Sequence, residues 1–78
     1  MKILVYSTIT CPYCRMVKEF LEENNISFTD VDVSSDRAAA QEMMKKSGQM
    51  GVPVIDIDGQ IIVGFDQEKL KEILNIKG

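Results

Sequence analysis

Four apolar residues in succession, Ile3-Leu4-Val5-Tyr6, restrict this chain more than any other feature. A strand with one face in water alternates apolar and polar residues. This one does not, so both of its faces must be covered. That requires a central strand, expected over Met1 to Tyr6, in a sheet with helices packed on both sides. A chain of 78 residues has room for one such domain, 1–78.

The remaining pattern supplies the partners. Pro12 suits a first helical position, and Met16, Val17, Phe20 and Leu21 repeat at helical spacing until Asn24-Asn25. Phe28 to Val33 alternates, with Val31 and Val33 on one face and Asp30 and Asp32 on the other, as in a half-buried strand. Ser34-Ser35 is expected to start a second helix with Ala40, Met43 and Met44 as its apolar stripe and Gly48 at its end. Pro53 to Ile57 reads as a strand, Asp58-Gly59 as a two-residue hairpin turn, and Gln60 to Val63 as the returning strand. Gly64-Phe65-Asp66 opens a last helix with Asp66 as cap and Leu70, Ile73 and Leu74 facing inward. The order β-α-β-α-β-β-α gives a right-handed parallel crossover followed by an antiparallel hairpin. A mixed four-stranded sheet flanked by three helices in this order is the minimal thioredoxin-like layout. No repeat, low-complexity segment or linker interrupts it.

Composition removes several functional classes. The net charge is −3 and the nine cations are scattered, which does not suit a nucleic-acid partner. No stretch approaches the roughly 18 apolar residues of a membrane span. The N-terminal apolar run is too short for a secretory signal, and Ser7-Thr8-Ile9-Thr10 leads directly to a cysteine, so a cytoplasmic location is the default.

The two cysteines, Cys11 and Cys14, form one Cys-x-x-Cys unit, and the chain has no histidine. Thr10-Cys11-Pro12-Tyr13-Cys14 falls at a strand-to-helix junction, with Cys11 at the cap position. There the unpaired N–H groups and the helix dipole favour a negative sulfur. A free thiol with pKa near 8.5 is only about 3% ionised at pH 7, so favouring the thiolate is what makes such a cysteine a nucleophile. Arg15 and Lys18 stand close enough in sequence to add to this. Cys14 lies on the same side of the first turn, within disulfide reach, and is placed to resolve a mixed disulfide formed on Cys11. Two plainer readings compete. A structural disulfide closing so short a ring gains only roughly 2 kcal/mol. Half of a zinc site would lack two of the usual four ligands, so no metal is expected.

At this point the sequence resembles the glutaredoxins along nearly its whole length. Cys11-Pro12-Tyr13-Cys14 is similar to the dithiol glutaredoxin active site, Gly51-Val52-Pro53 to the family's Thr-Val-Pro segment, and Gly64-Phe65-Asp66 to its Gly-Gly-x-Asp turn. The resemblance implies a thiol–disulfide oxidoreductase. It would act as a monomer with glutathione as cosubstrate, reducing protein disulfides and glutathione mixed disulfides. It also implies a cis bond before Pro53, where the plainer reading is a trans proline starting an edge strand. Val52 would offer its main chain to the glutathione backbone. The N–H groups of Phe65 and Asp66, beside Gly64, would meet the γ-glutamyl carboxylate. The Asp66 carboxylate would pair with the γ-glutamyl ammonium or serve only as a helix cap. Tyr13 would contact the ligand beside the thiol, or simply pack.

The chain departs from the family pattern in three places. Thr8 stands where many members carry a lysine, Gln49-Met50 where they carry an arginine, and Val63 replaces the first glycine of the turn. The first two remove cations expected to face the glycine carboxylate of glutathione, each worth up to about 1.5–3 kcal/mol when well formed. Short chain length, the missing lysine and Gly64-Phe65 also look like glutaredoxin-like redoxins that take electrons from thioredoxin reductase and donate to ribonucleotide reductase. A third alternative is an iron–sulfur carrier that ligates a cluster through Cys11 and glutathione across a dimer. Pro12 makes the loop stiff for that role.

Overall fold

A computed structural model describes residues 2–76; Met1, Lys77 and Gly78, and with them the expected start of the first strand, lie outside the described residues. Seven elements follow in the expected order: β1 Ile3–Ser7, α1 Pro12–Glu23, β2 Thr29–Asp32, α2 Arg37–Ser47, β3 Val54–Ile57, β4 Gln60–Val63 and α3 Gln67–Leu74. The sheet runs β2-β1-β3-β4, with β1 parallel to β2 and antiparallel to β3, and β4 antiparallel to β3. β1 therefore has a strand on each side, as its unalternated apolar run requires.

Alternate residues of β1 feed two cores. Ile3 and Val5 pack with Val17, Phe20 and Leu21 of α1 and Leu70 of α3, together with Ile55, Ile57 and Ile62. On the opposite face Tyr6 packs with Val54 and with Ala39 and Met43 of α2, and Leu4, Val31, Val33 and Ile61 close around them. α1 and α3 thus cover one face and α2 the other. Each fully buried leucine, isoleucine or valine contributes about 1.5–3 kcal/mol of transfer free energy. No helix among the described residues is long and apolar enough to cross a membrane.

The turn chemistry follows the residues. Asp58 and Gly59 both have positive φ, 50° and 93°, as a tight hairpin between right-twisted strands requires. Gly48 ends α2 in the left-handed region with its N–H on the Met44 carbonyl.

α2 departs from expectation in two ways. It begins at Arg37, because the Asp32 carboxylate takes both the N–H and the hydroxyl of Ser34 into a turn, and Asp36 caps the helix through the Ala39 N–H at 3.1 Å. Of the expected stripe only Met43 is buried, and it is joined by Ala39; Ala40 is half-buried and Met44 is exposed. The sequence carries two apolar stripes side by side, and the sheet accepts only one.

One charged cluster is built into the α2 face. Lys46 donates to the Tyr6 hydroxyl at 2.8 Å and to Asp56 at 2.7 Å, and Asp56 also takes the Gly59 N–H at 2.8 Å. This ties α2 to the strands and to the hairpin in one network.

Candidate active site

The antiparallel pairing of Tyr6 with Val54 and of Val54 with Val63 brings three segments to one end of the sheet: the loop after β1, the segment before β3 and the segment after β4. These carry Cys11 to Cys14, Val52-Pro53 and Gly64 to Asp66. Two of the segments are bonded directly, with the Gly64 N–H donating to the Pro53 carbonyl at 2.8 Å.

Cys11 is the N-cap of α1 in extended backbone, and Pro12 holds the first helical position. The Cys14 N–H donates to the Cys11 Sγ at 3.1 Å, so the helix terminus acts on this sulfur through a specific hydrogen bond as well as through its dipole. Both cysteines are free thiols, and their surroundings differ: Cys11 is half-buried whereas Cys14 is buried. Burial first, and then the hydrogen bond with Cys11, push the Cys14 thiol up to about 11. A half-buried sulfur held at a helix N-terminus and a buried, protonated one beside it make an asymmetric pair.

That asymmetry has a direct chemical consequence. A small alkylating reagent at pH 7 is expected to modify Cys11 and leave Cys14 untouched until the pH approaches 11 or the protein unfolds. Mass mapping of the alkylated thiols against pH checks this; equal labelling of both cysteines at pH 7 contradicts it.

The other expected site residues are distributed as follows. The Val52–Pro53 peptide is cis. Pro53 is buried and Val52 half-buried against the α2 core, and among the described residues no hydrogen bond uses the Val52 N–H or carbonyl. Tyr13 stands 62% exposed beside Cys11, so packing does not explain it. Gly64 takes a φ of 82°, a conformation that a side chain would oppose. The Phe65 ring turns inward and meets Phe20 edge-on at 6.0 Å, leaving its main chain as the part that can face a ligand. Asp66 caps α3, with one carboxylate oxygen on the Lys69 N–H at 3.1 Å, and the residue stays exposed.

The cleft beside Cys11, about 360 Å³, is lined by Ile9, Thr10, Pro12, Arg15, Met16 and Glu19 rather than by Val52 or Asp66. Ile9 at 82% and Met50 at 61% exposure add an apolar rim to this end of the molecule. Gln49 does not reach outward, since its amide clasps both the N–H and the carbonyl of Gly51.

One group escaped the sequence reading. Ser7, 2% exposed, donates to Asp30 at 2.7 Å, and the other Asp30 oxygen takes the Lys18 ammonium at 2.8 Å. Burial raises the Asp30 carboxyl, but the Lys18 and Ser7 bonds outweigh it and hold the group below the usual carboxylate range. Lys18 is thus committed across to β2, four residues along α1 from Cys14.

Comparison with known proteins agrees with this fold. Residues 3–62 match the Glutaredoxin family model. The chain is 49% identical over 72 residues to a glutaredoxin-like 8.6 kDa protein in a rubredoxin operon of Clostridium pasteurianum, covering 92% of this chain and 96% of that one. It is 40% identical to glutaredoxin 3 of Escherichia coli K12 over 62 residues, 80% of this chain and 75% of the other. Among solved structures, a mutant of a thioredoxin-like protein superposes with a TM-score of 0.92 at 41% identity over 97% of both chains. The glutaredoxin of Archaeoglobus fulgidus superposes at 0.87 with 27% identity, over 94% of this chain and 85% of that one. The family model takes in β1 through most of β4, with the whole Cys11–Cys14 junction inside it, and the chain accordingly belongs to the glutaredoxin family as a redox protein of thioredoxin-like fold.

Proposed function

We propose that this protein is a glutathione-dependent thiol–disulfide oxidoreductase in which Cys11 is the nucleophile and Cys14 the resolving thiol. The observation that carries the reading is the Cys14 N–H to Cys11 Sγ hydrogen bond at a helix N-terminus, with Cys14 buried behind it. In the reductive direction the Cys11 thiolate attacks a substrate disulfide and expels one substrate sulfur as thiolate. Cys14, after losing its proton to solvent, then attacks the mixed disulfide. The second substrate thiolate leaves and a Cys11–Cys14 disulfide remains, which two glutathione molecules reduce while becoming glutathione disulfide.

Support for glutathione comes from the free main chain of Val52, the N-terminus of α3 at Phe65 and Asp66, and the exposed Tyr13 ring. A second reading, reduction by thioredoxin reductase, is favoured by Thr8 and Met50, which leave the glycyl end without cations. NADPH oxidation coupled through glutathione and glutathione reductase, compared with coupling through thioredoxin reductase, decides between them. Faster turnover in the first system is expected; turnover only in the second overturns the glutathione assignment.

Under the glutathione reading, Thr8→Lys, alone or with Met50→Arg, strengthens recognition. Exposed ion pairs usually give about 0.2–1 kcal/mol, or roughly 1.4- to 5-fold per cation, and the gain falls with salt. Asp66→Ala loses more than either cation gains. The apparent affinity for a glutathione mixed disulfide at two ionic strengths measures all three, and silence in every variant argues against glutathione.

A further inference from the structure

The resolving step poses a problem that the helix N-terminus does not solve. Cys14 must ionise to attack, yet it is 1% exposed and its thiol is pushed up to about 11 by burial. Once Cys11 is in a mixed disulfide, its sulfur no longer carries the negative charge that opposes a second thiolate. Desolvation remains. The groups that face Cys14 are Cys11 and Lys18 on α1, the Thr8 main chain at the end of β1, and Asp30 on β2 behind Lys18. Lys18 is the only cation among them.

Its position is fixed from the opposite element. Asp30 holds the ammonium with one oxygen and the buried Ser7 hydroxyl with the other, so β1, β2 and α1 are joined through this group. Lys18 lies one helical turn from Cys14, about 6 Å along the axis, and almost two turns from Cys11, about 10.5 Å. Lys18 thus stands nearer along the helix to Cys14 than to Cys11, and its charge acts on the Cys14 thiol in the same direction as the Thr8 main chain, lowering it.

We propose that Lys18, anchored by Asp30 and Ser7, is a positioning residue for the resolving step, its ammonium favouring the Cys14 thiolate as that sulfur attacks the mixed disulfide on Cys11. The inference rests on the dithiol assignment above and is independent of which thiol supplies the electrons.

One equivalent of dithiobis(nitrobenzoate), mixed rapidly with reduced protein, reads both steps without glutathione. Attack by Cys11 releases one coloured aryl thiolate and leaves an aryl mixed disulfide. Attack by Cys14, after its proton leaves to solvent, releases the second and closes the Cys11–Cys14 disulfide. In Lys18→Met the first phase stays within about twofold of wild type, while the second slows about fivefold at low salt, the effect of roughly 1 kcal/mol in a charge interaction near the surface. The pH midpoint of the second phase rises, and 1 M salt narrows the gap. Lys18→Arg keeps the charge and restores the second phase. An unchanged second phase in Lys18→Met, equal slowing of both phases, or no rescue by arginine overturns the proposal. Loss of both coloured phases in the wild type would instead overturn the dithiol assignment itself.

Discussion

Replacing Cys11 with serine is expected to abolish disulfide reduction, by more than about a thousandfold, because loss of a covalent nucleophile typically costs that much or more. Replacing Cys14 with serine has a different effect. Reduction of a glutathione mixed disulfide needs only one protein sulfur, because a second glutathione can release the first from Cys11. Reduction of a protein disulfide through an intramolecular Cys11–Cys14 bond needs both. Cys14→Ser therefore retains the first activity and loses the second. Serine is close in size to cysteine but places a hydroxyl at 1% exposure, so thermal unfolding of the variant is measured alongside its activity. Steady-state rates on the two substrate types separate the roles. If both variants were inactive on both substrates, the division into nucleophile and resolver would be wrong.

The second large effect is on stability. Asp56→Ala removes the carboxylate that holds Lys46 at 2.7 Å and the Gly59 N–H at 2.8 Å, and leaves an ammonium facing the sheet without its main partner. Breaking a buried pair costs about 3–5 kcal/mol; the Lys46 side chain is 26% exposed, so about 2–3 kcal/mol is the better expectation. For a domain of this size that lowers Tm by about 10–20 °C. The sign with pH follows from both partners. Burial pushes the Asp56 carboxyl up, and Lys46 and Gly59 outweigh it, so the group lies below its ordinary value in the folded state. Its contribution is complete above the unfolded value of about 3.9 and disappears as pH falls through the lower folded one. The hydrogen bond to Asp56, and then that to Tyr6, raise Lys46, whose contribution is complete below about 10.4 and fades only as pH rises through its higher folded value. The gap in Tm between wild type and Asp56→Ala should thus be constant near neutrality and narrow in acid, as pH falls below the unfolded value and through the lower folded one. A gap unchanged in acid would show that the carboxylate charge is not its source.

What could be read from the chain, and what could not, divides by the range of the interaction. Pro12 at the start of α1, Gly48 at the end of α2, the Asp58-Gly59 hairpin and the Asp66 cap are decided by a residue's own backbone and its near neighbours, and each stands where its chemistry puts it. The start of α2 was a competition among Ser34, Ser35 and Asp36, all capable caps. It was settled by Asp32, which drew Ser34 into a turn first. The choice of Ala39 beside the expected Met43, over Ala40 and Met44, was made by the sheet beneath, beyond anything in the helix itself. Asp56, inside the apolar stretch Val54 to Ile57, gave no hint of Lys46 ten residues earlier or of Tyr6 on the neighbouring strand.

The site divides in the same way. The Cys11–Cys14 junction was legible because a cap position and a helical turn are local geometry. Cations missing at Thr8 and Met50 were legible as departures from a pattern. The inward turn of Phe65 onto Phe20 depends on how α1 meets the segment before α3, which the sequence does not show. The Ser7–Asp30–Lys18 group likewise joins three elements far apart in sequence.

The central claim is that Cys11 receives the incoming sulfur and Cys14 releases it. Reduced Cys14→Ser protein, incubated with glutathione disulfide and mapped by peptide mass spectrometry, tests this most directly. The expected product is a single glutathionyl adduct on Cys11, while the wild type under the same conditions accumulates the Cys11–Cys14 disulfide. A Cys14→Ser protein that forms no adduct, together with a wild type that stays reduced, would contradict the account.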